Sequence, residues 1–355
     1  MGLLMMELKP QFQRLISEVF ESQFQLDFYK DREFDVASKE YVYQGVSFCI
    51  NFLYTAYVLE EPKIFEEYAR WAYHLLCPLK PDRAEEELMH MLTDHMSSIK
   101  EAMKEIMSDE EQSKLLPMLE GASRAVEEEF QARDGSSAPL PKEAEYEQEI
   151  QQYLECLEKS DTKGAVSLIS EYIDRGIPLA NVYADIVAEA MRRVGELWHQ
   201  HMITVDKEHY CTSVTQLAIS QMYPIVFSQT RRVPKKVLAA CAGSELHELG
   251  ARMIADLFEY NGWDSVYLGA AVPMDALLSA LEELRPDLVA LSVTMPQHLI
   301  DCKEMADEIR RQFPEIKIAV GGNAFKSTNE IWKNWSVDVY TRDARELVEW
   351  AEHTL

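Results

Sequence analysis

The chain of 355 residues is 47% hydrophobic, enough for two or three ordinary domains with buried cores. Its 35 Lys and Arg stand against 61 Asp and Glu, and the resulting formal net charge of −26 repels phosphate backbones, so no direct nucleic-acid binding is expected. The opening residues Met1 to Met6 have neither the basic flank nor the cleavage pattern of a signal peptide, and Met6 stands where a myristoylation signal needs Ser or Thr. The most apolar stretch, Val46 to Leu59, is broken by Ser47, Asn51 and Thr55 and is shorter than the roughly 20 residues a bilayer requires. A cytoplasmic protein with no membrane partner is expected. Six cysteines at 49, 77, 156, 211, 241 and 302 form no Cys-x-x-Cys pair, which predicts free thiols rather than disulfides or a zinc site.

Residues 8 to 130 read as helical throughout, with apolar side chains at helical spacing in Phe12, Leu15, Ile16, Val19 and Phe20 and again from Phe65 to Leu76. An all-α amino-terminal domain over 1–132 is predicted. Its histidines His74, His90 and His95 read either as ordinary helix residues or as ligands for a haem or bilin, and its acidic runs 85–87 and 127–129 as solvated helix faces. The run from Arg133 to Pro141 collects Gly, Ser and Pro, which predicts a linker over 133–142. Shorter helical pieces follow over 143–232. One stops at Gly176, ahead of Pro178, and the next places Val182, Ile186, Val187, Ala190, Val194, Leu197 and Trp198 on one face, so a four-helix bundle is predicted.

Past Pro234, short apolar runs alternate with amphipathic stretches. Strands are predicted at Val237 to Ala242, Ser265 to Leu268, Leu288 to Val293, Ile318 to Val320 and Val337 to Tyr340, with helices near 250–260, 274–284, 299–312 and 344–353. That alternation predicts an α/β, doubly wound, five-stranded parallel sheet of Rossmann-like type over 233–355. Ligands of such sheets bind beyond the carboxyl ends of the strands. The loop after the first strand contains Ser244, Glu245, His247 and Gly250. A loop imidazole there offers one nitrogen to a metal while a carboxylate two residues earlier fixes its tautomer, and Gly250 permits close approach to the backbone. Alone, Glu-x-His-x-x-Gly is more often an ordinary hydrogen-bonded loop histidine.

Between Gly250 and Ser292-Val293-Thr294 lie 41 residues, and between Thr294 and Gly321-Gly322 lie 26. In this spacing the sequence resembles the cobalamin-binding domain family, whose signature is an acid-x-His-x-x-Gly loop followed by Ser-x-Leu and Gly-Gly. The resemblance implies that Ser244, Glu245, His247, Gly250, Ser292, Thr294, Gly321 and Gly322 bind the cofactor, that its nucleotide tail enters a cavity at the strand ends, and that His247 displaces the tail's base from cobalt. Glu245 stands where Asp is commonest and Thr294 where Leu is usual; the first keeps the carboxylate and the second adds a hydroxyl that needs a partner if buried.

In the bundle, Trp198 is followed by nine residues and then Glu208-His209, spanning a helix end, a turn with Thr204 as N-cap, and the start of the next helix. These residues read either as a core Trp with a solvated pair or as two sides of a cavity. The arrangement resembles the adenosylcobalamin photoreceptors that repress carotenoid genes, and the likeness covers about 145–355. It implies that Trp198, Glu208 and His209 surround the cofactor's adenosyl group and that His199, directly after the Trp, becomes a second cobalt ligand after light has expelled that group. His201 competes for that role. Those photoreceptors begin with a small basic DNA-reading domain, whereas this chain begins with an acidic helical one, so output through a protein partner at that domain is expected, together with a homo-oligomer. The expected function is a cobalamin-binding signalling protein, more a sensor than an enzyme. The competing readings are a corrinoid carrier subunit of a methyltransferase system and a cobalamin- or haem-sensing antirepressor. A mutase is disfavoured, since the chain has no room for an additional eight-stranded barrel.

Overall fold

The structure, a computed structural model, describes residues 8–26, 28–29, 34–80, 83–133, 144–228 and 232–355. They fall into two compact units, one carrying the amino-terminal helices and the other the middle helices and the sheet. The first unit contains α1 (Pro10–Gln23), α2 (Val36–Leu59), α3 (Pro62–Leu79), α4 (Glu85–Ile106) and α5 (Asp109–Arg133). Asp35 starts α2 by accepting the Ser38 N–H at 2.8 Å, and prolines open α1 and α3. By length and composition α2 would suffice to cross a bilayer, because the helix begins ten residues ahead of the apolar stretch marked in the sequence. Its residues from Val46 to Ala56 are largely buried and pack on α1, α3 and α5, and the polar interruptions Asn51 and Thr55 bond to carbonyls four residues earlier. Arg133, placed in the expected linker, is the last residue of α5; the rest of that segment, 134–142, lies outside the described residues.

The second unit opens with α6 (Glu147–Glu158) and α7 (Thr162–Asp174), the latter capped by the Asp161 carboxylate and followed by Gly176 at a φ of +90°. One longer helix then comprises α8 (Leu179–Asn181), a π-helical turn (Val182–Val187) and α9 (Ala188–His199), and α10 (Val205–Ser220) and α11 (Tyr223–Val226) complete the layer. The π-helical turn was not legible in the apolar pattern. Val182, Ile186, Val187, Ala190 and Val194 are buried as expected, but the stripe ends there: Leu197 is half-buried and Trp198 is 37% exposed. The reason is the helix end. Met202 N–H bonds to Leu197 O at 2.9 Å and His201 N–H to Trp198 O at 3.0 Å, with His201 left-handed at a φ of +55°, which is the Schellman closure and turns the chain away from the core. Thr204 occupies the N-cap position of α10, but its side chain makes no capping bond.

The sheet is built from β1 (Lys236–Cys241), β2 (Asp264–Tyr267), β3 (Leu288–Ser292), β4 (Lys317–Gly321) and β5 (Val339–Thr341), all parallel in the order β2-β1-β3-β4-β5. Pairing of β5 starts two residues later than expected, because the Asp338 carboxylate accepts the Ile318 N–H at the foot of the strand. Helices α12 (Leu249–Tyr260), α13 (Met274–Leu284), α14 (Leu299–Gln312) and α15 (Ala344–Thr354) connect or follow the strands. One face of the sheet, with α12 and α15, shares a continuous apolar core with the middle helices. None of the six cysteines forms a disulfide; Cys77 and Cys156 are only half-buried.

Candidate cofactor-binding site

The strand register places the expected residues before any side chain is considered. Cys241 on β1 pairs with Ser292 on β3, Ser292 with Gly321 on β4, and Gly321 with Thr341 on β5, so the carboxyl ends form one row across the sheet. Alternate residues of a strand share a face, and the two central strands present Ala290 and Ser292, Ala319 and Gly321 toward α12 and α15. Small side chains at these four positions leave a trough. The result is a cavity of about 190 Å³ lined by them, by Gly250 and Met253 of α12, by Gly322, by the start of α15, and by Tyr183 and Ala184 of the π-helical turn.

Three glycines shape this end of the sheet, each in a different way. A Cβ on Gly250 would point at open space with only Ser292 Oγ at 4.0 Å, so its absence widens the cavity rather than relieving a clash. A Cβ on Gly321 would lie 3.1 Å from the Thr341 carbonyl. Gly322 has a φ of +104°, and a Cβ there would sit 2.1 Å from the Val293 carbonyl oxygen, which only glycine tolerates. Ser292, Gly250, Gly321 and Gly322 thus meet in one cradle. Ser244 is exposed at the mouth of the β1 loop, and Thr294 contributes its backbone rather than its hydroxyl.

The β1 loop is held by Glu245, which is fully buried. Its Oε1 faces His247 Nδ1 at 2.5 Å and accepts the His247 backbone N–H at 2.9 Å, while its Oε2 accepts the N–H groups of Thr294 and Met295 at 2.7 and 2.8 Å. Burial works to raise the carboxyl's pKa, but the bonds to His247 and the backbone outweigh it and bring it down to about 2. The His247 imidazole is raised, first through its bond to Glu245 and, more distantly, by Glu208. His247 is 53% exposed, so Nδ1 is committed to the carboxylate while Nε2 remains for a metal, the orientation a ligating imidazole needs. Among the described residues no group of three or more His, Cys, Asp and Glu forms a metal cage, so a metal here would bring most of its ligands with it.

On the helical side the residues do not converge in the same way. His199 is half-buried at the end of α9. Trp198 is partly exposed, and the His209 side chain is 74% exposed, paired with Glu208 at 3.0 Å. Glu208 in turn accepts the Thr212 hydroxyl at 2.9 Å. None of Trp198, His199, Glu208 and His209 lines the 190 Å³ cavity. The cavity wall instead comes from Tyr183 and Ala184, which the motif spacing did not mark. The recurrence of small residues at alternate positions of β3 and β4 is the sequence signal that would have located the trough. In the amino-terminal unit His74 is paired with Glu129 at 2.9 Å and His90 lies exposed beside Glu86, while burial lowers His95 to about 4.

Residues 235–349 match the family model for the B12 binding domain, and residues 149–223 match a second B12 binding domain model. Over these two stretches the chain belongs to the B12-binding proteins, and fold and site together define a cobalamin-binding protein. Among curated relatives, it is 25% identical over 231 residues to the HTH-type transcriptional repressor CarH of Myxococcus xanthus, covering 65% of this chain and 74% of that one. It is 29% identical over 101 residues to the glutamate mutase sigma subunit of Fusobacterium nucleatum, covering 28% of this chain and 74% of the subunit. Among solved structures, the monomethylamine corrinoid protein of Methanosarcina barkeri is 16% identical with a TM-score of 0.52, covering 59% of this chain and 99% of its own, a likeness of fold.

Proposed function

We propose that the protein is a cobalamin-dependent light sensor that holds adenosylcobalamin between its sheet and its middle helices and signals through a protein partner. In this reading His247 would hold the cobalt, the cradle of Gly250, Ser292, Gly321 and Gly322 would take the nucleotide tail, and Trp198, Glu208 and His209 would meet the adenosyl group. Adenosylcobalamin, when bound, supplies a cobalt–carbon bond that light can break. The observation that carries the sensor reading over that of a passive carrier is the state of Trp198. An indole at the end of an apolar helical stripe belongs in the core, yet it is 37% exposed, a surface open to a ligand.

His199 is the second donor in this reading. It is half-buried one residue beyond Trp198, whereas the exposed His201 is spent on the left-handed turn that ends the helix. A helix end is where a short turn absorbs backbone rotation, and a gained ligand bond supplies the bias between two states that a switch needs. The net charge of −26 supports a protein that acts through a partner at the amino-terminal helices rather than by reading DNA. The test is the absorption spectrum of protein reconstituted with adenosylcobalamin, before and after green light. The parent is expected to change spectrum, and His199→Ala to bind and bleach without reaching the parent's light-state spectrum. If His199→Ala and His201→Ala both retain that spectrum, the helical-side mechanism is wrong. No response to light, combined with acceptance of a methyl group, makes the protein a corrinoid carrier instead.

A further inference from the structure

Helix α10 carries Glu208, Thr212, Gln216 and Ser220 at four-residue spacing, one polar row along the helix, while Cys211, Val214, Ala218 and Ile219 are its buried apolar side chains. The upper two are bonded to each other; the lower two leave the helix. Gln216 Nε2 donates to Glu248 Oε1 at 2.6 Å, and Ser220 Oγ accepts from Arg252 Nη2 at 2.9 Å. Arg252 also donates to the Tyr223 hydroxyl of α11 at 3.1 Å. The second oxygen of Glu248 accepts the Tyr267 hydroxyl of β2 at 2.8 Å. Glu248 is the residue immediately after His247. In sequence, His247 therefore lies between two anchored carboxylate residues: Glu245, bonded inward to the loop after β3, and Glu248, bonded outward to α10 and β2.

We infer that Gln216 and Glu248 form a positioning joint that ties the His247 loop to helix α10, so that movement of α10 moves His247. The inference rests on the cobalamin reading only for its consequence at the metal; the joint itself is a property of the chain. A hydrogen bond to a carboxylate is among the stronger side-chain contacts, and both ends of this one are half-buried, where water competes less. The two Glu248 bonds differ in what they report. Tyr267 ties the loop to the sheet, which carries the loop already, whereas Gln216 ties it to a helix that also carries Glu208 and His209 on its first turn. Only the second can convey displacement of the helix to His247.

The test compares Gln216→Leu, which removes the donor at similar volume, with Gln216→Lys, which restores a donor to Glu248. In the protein without cofactor, amide hydrogen exchange over residues 244–250 is expected to be about tenfold faster in Gln216→Leu and to return toward the parent rate in Gln216→Lys, with the amides of β1 and β3 unchanged. With cobalamin added, the same substitution should shift part of the bound cofactor from a histidine-ligated to a base-ligated spectrum. Unchanged exchange in the loop of Gln216→Leu overturns the joint, as does a uniform rise across the sheet or a failure of Gln216→Lys to restore it. If Gln216→Leu does not fold, Gln216→Glu, which opposes two carboxylates, is read in the same way. A parent protein that exchanges as expected but takes up no cobalamin leaves the joint standing and defeats the proposed function, so the two failures are separable.

Discussion

The two sides of the candidate site differ in how far they are assembled by the polypeptide alone. At the sheet end every element is in place: Glu245 is fully buried with four donors around it, Gly322 is required by the Val293 carbonyl, and the cavity exists in the folded chain. At the helix end the corresponding residues stand apart, with Trp198 partly exposed and His209 solvated. A site that holds a ligand gains from being built beforehand, because less order is lost on binding. A site that responds must keep two arrangements within a few kcal/mol of each other, and an open helix end does so more readily than a packed strand end.

The sharpest way to break this contrast is at its most buried charge. Glu245→Ala leaves the Thr294 and Met295 N–H groups without their acceptor and is expected to cost about 3–4 kcal/mol in denaturant unfolding. A loss below ~1 kcal/mol would mean the loop is not fixed by this residue. Where the two sides join, Tyr183 of the π-helical turn donates to the Asp256 carboxylate of α12 at 3.1 Å, and burial raises Asp256 from 3.8 to about 6. The folded state then holds this proton more tightly than the unfolded one, so the contribution of Asp256 to stability falls as pH rises from about 4 to about 6. Asp256→Asn should remove that slope, a difference of about 2–3 kcal/mol between the two proteins across the window. Parallel pH profiles of the two would show that Asp256 is not held in this way.

Smaller effects should separate structural from functional glycines and histidines. Gly322→Ala meets the Val293 carbonyl in a left-handed conformation and is expected to cost about 2 kcal/mol, read from the thermal midpoint. On the helical side, His201 has a positive φ without being glycine, so His201→Gly should stabilise the protein by up to about 1 kcal/mol and leave any light response intact. A lost response in that variant would move the second ligand role from His199 to His201.

The sheet end was legible in sequence because its motifs are attached to strand ends. Once five strands are read as parallel, the register must bring the residues after β1, β3 and β4 side by side, and Gly250, Ser292, Gly321 and Gly322 do line one cavity. The helical side was less legible because spacing along a helix says which residues share a face, not where the face ends. Trp198 fitted the apolar stripe of Val182 to Val194, and only the left-handed turn at His201 shows why the stripe stops before it. The π-helical turn at Val182–Val187 leaves no compositional trace, so Tyr183 as a cavity wall was out of reach of pattern reading. The same holds for Gln216 with Glu248 and Arg345 with Asp185, polar contacts formed between elements distant in sequence.

The division of labour between a prebuilt holding side and an open responding side is tested most directly by titrating adenosylcobalamin in the dark into Gly250→Val and the parent. Gly250 has open space where its side chain would be, so valine fills the cavity without straining the fold. The variant should unfold at the parent's temperature and bind at least about a hundredfold more weakly, a loss of about 2.7 kcal/mol. Equal affinity in a folded Gly250→Val protein would contradict the assignment of this cavity to the cofactor.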